Sequence, residues 1–178
     1  MIIGLSISAF TILHVVITLI AIATGFVVLF GLLGSRRLPG WTAIFWLTTV
    51  LTSVTGFMFL LDAGFRKGFT PALGTGIVAT VFFAVGLLAL YGKHLSGSWR
   101  RIYASTTVIS LYLNVFVLIV QSFQKVTLLN PLAPQIGPPF AEPQNTQFVI
   151  AQGVALLFFV VIGIVASIKF RPLTTLPA

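Results

Sequence analysis

Apolar residues occur along this chain in five long blocks, at about 5–33, 41–61, 72–91, 103–122 and 147–168, separated by shorter polar interruptions. Each block approaches or exceeds the ~20 residues that a helix rising ~1.5 Å per residue needs to cross a ~30 Å hydrocarbon core. The pattern predicts an all-α integral membrane protein with five transmembrane helices in one domain, residues 1–178. Periodicity within the blocks predicts which faces meet. In the first block Thr11, His14, Thr18, Ala21 and Gly25 recur at steps of three and four, while the other faces carry Ile, Leu, Val and Phe. Lipid tails are as apolar as leucine, so a small or polar stripe marks helix–helix contact. Comparable stripes are Thr48, Thr52 and Thr55 in the second block; Gly76, Thr80 and Ala84 in the third; Thr107, Ser110, Asn114 and Gln121 in the fourth; and Gln152, Ala155, Gly163 and Ala166 in the fifth.

Composition strengthens the membrane assignment. At 58% hydrophobic and 7% charged residues, with a mean hydropathy of +1.13, there is too little polar surface to cover a water-soluble globule. Without cysteine there is no disulfide, thiolate nucleophile, iron–sulfur cluster or c-type haem attachment. The net charge of +8 is scattered between apolar blocks and forms no single basic face, which argues against nucleic acid as a partner. It reads instead as membrane orientation. Arg36, Arg37, Lys93, Arg100, Arg101, Lys169 and Arg171 fall on one side of a five-span chain, against Arg66, Lys67 and Lys125 on the other. This bias predicts an N-terminus outside and a C-terminus in the cytoplasm, with Trp41, Trp46, Trp99, Tyr91 and Tyr103 near the inner interface. The first block is preceded by no basic stretch and is longer than a signal-peptide core, so it is expected to remain as a helix.

Two further features organise the chain. "LPGWTAIFWLTTVLTS" and "LSGSWRRIYASTTVIS" align with one inserted residue, which suggests tandem helical hairpins, spans 1–2 and 3–4, followed by an unpaired fifth span. The stretch 125–146 carries Pro131, Pro134, Pro138, Pro139 and Pro143, which forbid a continuous helix. Its apolar content predicts a segment folded over the outer helix ends, as a lid, a docking surface or a connector at the lipid surface.

The candidate chemistry is sparse. His14, Thr55, Asn114, Gln121 and Gln152 are placed by the helical rise in the centre or outer half of the membrane, and the half toward Arg36 is expected to be drier. Unpaired polar groups in hydrocarbon are costly, so these five are expected to share an outer-half polar pocket that could bind a ligand. Hydroxyls can also be satisfied by their own helical turn, and amides by a neighbouring helix. The only acids, Asp62 and Glu142, lie at the outer boundary; Asp62 reads as paired with Arg66, and His94 as solvated beside Lys93. No paired carboxylates, metalloprotease motif or Gly-rich phosphate loop is present, so the sequence predicts no enzyme. A transporter or channel would want a polar route through both halves. A haem, pigment or quinone bound in an electron-transfer subunit would rest on His14, as an axial metal ligand or a hydrogen-bonding group, with Met58 at similar depth. The reading that remains is a non-enzymatic membrane protein: an accessory or assembly subunit of a larger complex, or a binder of one hydrophobic molecule.

The segments "SRRLPGWTAIFWLTTVLTSVTGF", "GSWRRIY" and "LYLNVFVLIVQSF" resemble small multi-pass inner-membrane proteins of proteobacteria. The resemblance implies a bacterial inner membrane and carries no activity or site residue. A histidine-bearing helix followed by a basic turn is also similar to cytochrome b561-type bundles, which would imply haem on intramembrane histidines.

Overall fold

The computed structural model describes residues 2–62, 71–132 and 146–171, apart from the side chains at 60–62 and 71–73. It consists of five long helices, α1 (Ile7–Leu33), α2 (Pro39–Asp62), α3 (Pro71–Leu87), α4 (Trp99–Lys125) and α5 (Thr146–Lys169). All five are long and apolar enough to cross a membrane. The predicted spans stand, with α2 and α4 each starting a few residues earlier than the apolar blocks.

The helix ends follow from local chemistry. Ser6 caps α1, its hydroxyl accepting from the Ala9 N–H at 3.2 Å. Pro39 and Pro71 open α2 and α3, where proline's missing N–H costs nothing. α3 widens into a π-helical turn, Leu88–Gly92, closed by Lys93 N–H donating to the Leu88 carbonyl at 2.8 Å. Beyond it, His94, Leu95 and Gly97 adopt positive φ and turn the chain into α4. α4 leaves through a short 3₁₀ turn, Asn130–Leu132, where Asn130 Nδ2 donates to the Gln124 carbonyl at 2.9 Å. Most of the expected lid, 133–145 with Glu142, lies outside the described residues, as does the expected Asp62–Arg66 pair.

α1 and α4 form the centre of the bundle and α5 its edge: 50% of the α1 span is buried, against 6% of the α5 span. α1 and α2 run antiparallel, and α4 lies against α1, α3 and α5. Close approach is made at glycines. A Cβ on Gly25 would stand 2.6 Å from Leu111 Cδ1 and 2.9 Å from the Phe45 ring, and one on Gly86 would stand 2.8 Å from the Trp46 ring. The adjacent Phe45 and Trp46 of α2 thus fill notches on two different helices, α1 and α3. Two residues expected at the interface therefore lie inside: Trp46 is 4% and Tyr103 3% exposed, whereas Trp41 and Tyr91 remain largely exposed. Trp99 is half-buried beneath the Lys93 ammonium, 5.6 Å from its ring centroid.

Candidate functional site

The α1 stripe faces α2 as its spacing requires. Thr18 and Ala21 are buried and His14 is half-buried, while Thr11 is exposed and turns its hydroxyl back to the Ile7 carbonyl. On α2, Thr52, Thr55 and Phe59 present the complementary face. Thr18 Oγ1 lies 3.3 Å from Thr52 Oγ1, and one turn further toward the N-terminus His14 Nδ1 meets Thr55 Oγ1 at 2.6 Å. The imidazole stands edge-on to the Phe59 ring, with centroids 5.6 Å apart, and Phe59 in turn packs on Phe10.

This geometry specifies the histidine tautomer. Thr55 has one hydroxyl proton and two short contacts, with His14 Nδ1 and with the Leu51 carbonyl at 2.6 Å. A carbonyl only accepts, so both contacts are hydrogen bonds only if Thr55 donates to Leu51 and His14 Nδ1–H donates to Thr55. Nε2 of the neutral ring then carries the lone pair, and it forms no hydrogen bond among the described residues.

The other predicted site residues do not converge on His14. Asn114 Nδ2 donates to Thr49 Oγ1 at 3.3 Å, joining α4 to α2. Gln152 Nε2 donates to the Phe116 carbonyl at 3.2 Å, joining α5 to α4, while its Oε1 is buried without a partner. Gln121 is exposed and forms no hydrogen bond among the described residues. The expected single pocket is thus resolved into a His14–Thr55 pair and two separate interhelical clasps. Among the described residues no group of three or more His, Asp or Glu side chains is placed to hold a metal ion. A haem between two histidines does not fit, because His94 is exposed in the α3–α4 turn, at the opposite end of the bundle.

The half expected to be dry is not. Thr42, Thr106, Thr107 and Ser110 are buried there with Tyr103 and Trp46; Thr42, Thr107 and the Trp46 indole surround the Tyr103 hydroxyl, with the Arg37 guanidinium in electrostatic reach. Trp46 Nε1 and Ser110 Oγ are buried with no partner in hydrogen-bonding geometry. A cavity of about 110 Å³ opens at this end, lined by Arg36, Arg37, Thr42, Tyr91, Tyr103 and Phe170 among others. A wider apolar groove of about 370 Å³ runs along α4 and α5, past Tyr112, Phe159 and Gly163. Sequence reading missed the cavity because its walls come from the α1–α2 turn, the π turn, α4 and the end of α5. The available signal was a pair of arginines on a side of the chain with no acidic side chain.

Fold and site together define a five-span helical membrane protein with one histidine inside its bundle. No family model matches the chain, and neither does any curated protein or solved structure.

Proposed function

We propose that this chain is a non-enzymatic integral membrane protein that holds one hydrophobic molecule at His14, serving as an accessory subunit of a larger membrane complex. The observation that carries this reading is the fixed imidazole: Nδ1–H is committed to Thr55, and Nε2 of the half-buried ring keeps a lone pair with no hydrogen-bond partner among the described residues. Such a group accepts a hydrogen bond. It suits a hydroxyl-bearing isoprenoid, such as the reduced form of a quinone, better than a ligand that offers only carbonyls. The same lone pair favours a second reading, a single axial ligand to haem or a chlorophyll-like pigment, since metal-binding histidines commonly donate the other ring N–H to a fixed acceptor. The charge bias supports an orientation with the His14 end outside and the Arg36 end in the cytoplasm, and the sequence resemblance described above implies a bacterial inner membrane.

The test is extraction of co-purified small molecules from mildly solubilised protein for mass spectrometry, with an absorption spectrum recorded before and after dithionite. Wild type should carry one lipid-soluble hydroxyl compound that His14→Ala lacks at unchanged helix content. A Soret band lost in the same variant moves the assignment to haem. Equal small-molecule content in both proteins overturns the reading.

A further inference from the structure

The basic cavity at the other end is independent of His14 and has its own chemistry. Its lining includes the exposed Arg36, Arg37 and Tyr91 and the buried Thr42, Tyr103 and Phe170. These parts are brought together by specific folding events. Ser35 takes a left-handed conformation, φ 54°, and its hydroxyl accepts from the Arg171 N–H at 2.7 Å, tying the end of α5 to the α1–α2 turn. That tie seats Phe170, fully buried, against the Tyr103 ring with centroids 5.6 Å apart. The π turn of α3 contributes Leu90 and Tyr91 from the third side.

Among the described residues, the cavity lining holds no acidic side chain. The chain has two acidic side chains, Asp62 and Glu142. Asp62 ends α2, whose 24 residues place it about 35 Å along the helix from the cavity. Glu142 lies outside the described residues. Among the described residues, then, no side-chain carboxylate lines the cavity beside Arg36 and Arg37. A guanidinium presents a planar fork of donors matched to phosphate oxygens. The cavity, about 110 Å³, has room for a phosphate group. Val28 and Leu32 of α1 line the same cavity as the arginines that follow that helix, so a phosphate there would sit where lipid headgroups meet acyl chains.

We propose that Arg36 and Arg37, with Thr42 and Tyr91, form a binding site for the phosphate of an anionic phospholipid in the leaflet at this end of the bundle. The bound lipid bridges the α1–α2 turn to the end of α3, which line the same cavity.

The experiment titrates phosphatidylglycerol into the detergent-solubilised full chain, following melting temperature and lipid adducts retained in native mass spectrometry. Wild type should melt higher with the lipid and retain one adduct. R36Q/R37Q should weaken the apparent affinity about tenfold or more, since a hydrogen bond to a charged group contributes about 1.5–3 kcal/mol. R36K/R37K keeps the charges that orient the chain and should still weaken it severalfold, because lysine lacks the fork. R100Q/R101Q, on the same side but outside the cavity, should bind as wild type. The proposal is overturned if R100Q/R101Q loses as much as R36Q/R37Q, since binding is then diffuse surface attraction. It is also overturned if inorganic phosphate at equal concentration matches the lipid, which would make a free anion the ligand.

Discussion

At the scale of single residues, one hydroxyl decides the chemistry at the His14 end of the bundle. Thr55 accepts from His14 while donating to its own helix, so the imidazole proton is placed by α2 and not by α1. ¹⁵N spectra of histidine-labelled protein should show His14 as a neutral ring protonated at Nδ1. Replacing Thr55 with valine keeps the shape and removes the acceptor; the proton should then redistribute toward Nε2. The stability cost should be small, about 0.6 kcal/mol and at most about 1.7, as for interhelical hydrogen bonds in membranes generally. A wild-type signal from the Nε2–H form would reverse the donor assignment, and with it the preference for a hydroxyl-bearing ligand. Other hydroxyls behave differently: Thr24, Thr48, Thr106 and Thr107 donate to carbonyls of their own preceding turn and form no hydrogen bond to another helix among the described residues.

At the scale of helices, contact is governed by where a Cβ would have no room. Gly25→Ala should destabilise by about 1–3 kcal/mol through overpacking, since Leu111 and Phe45 are both fully buried and cannot move aside. Gly153→Ala on α5 meets nothing within 4 Å and should be neutral or stabilising by up to about 1 kcal/mol, the helix-propensity difference. Melting temperatures of the two variants in the same detergent should move in opposite directions or not at all for α5. A Gly25→Ala protein as stable as wild type would show that α1, α2 and α4 do not meet at this depth. The elements were legible in the sequence because span length and stripe period depend on the backbone alone. Which stripe meets which depends on how each helix is rotated, and no single-chain period encodes that. Asn114 and Gln152 were thus recognisable as inward-facing, but their partners, Thr49 and the Phe116 carbonyl, were not. Trp46 and Tyr103 were misplaced at the interface for the same reason: their distance from the helix end was readable, but their direction was not. The aligned hairpins keep one correspondence in detail, since Thr48 and Thr106 each donate to the carbonyls four and three residues earlier. They diverge at the entry, where Gly97 is left-handed and its counterpart Gly40 is helical.

At the scale of the whole molecule, the fold gathers the α1–α2 turn, the α3–α4 turn and the end of α5 at one end of the bundle, joined by the Ser35–Arg171 bond and the Tyr103–Phe170 contact. Seven of the ten lysines and arginines are therefore at that end, and three are on the other side of the chain order. Loops this short obey the count of basic residues, so a fluorescent reporter after Ala178 should be active in the cytoplasm, and a phosphatase that folds only outside should be inactive there. The margin also sets how far the chain can be altered. Removing Arg36 and Arg37 leaves five against three, and the orientation should hold. Removing Arg100 and Arg101 as well leaves three against three, and paired reporters should then detect both orientations. If the fourfold variant keeps a single orientation, the long apolar first span rather than the arginines directs insertion. Arg36 and Arg37 would then be free of any topological duty, and the lipid titration of R36Q/R37Q could be read without a change of orientation.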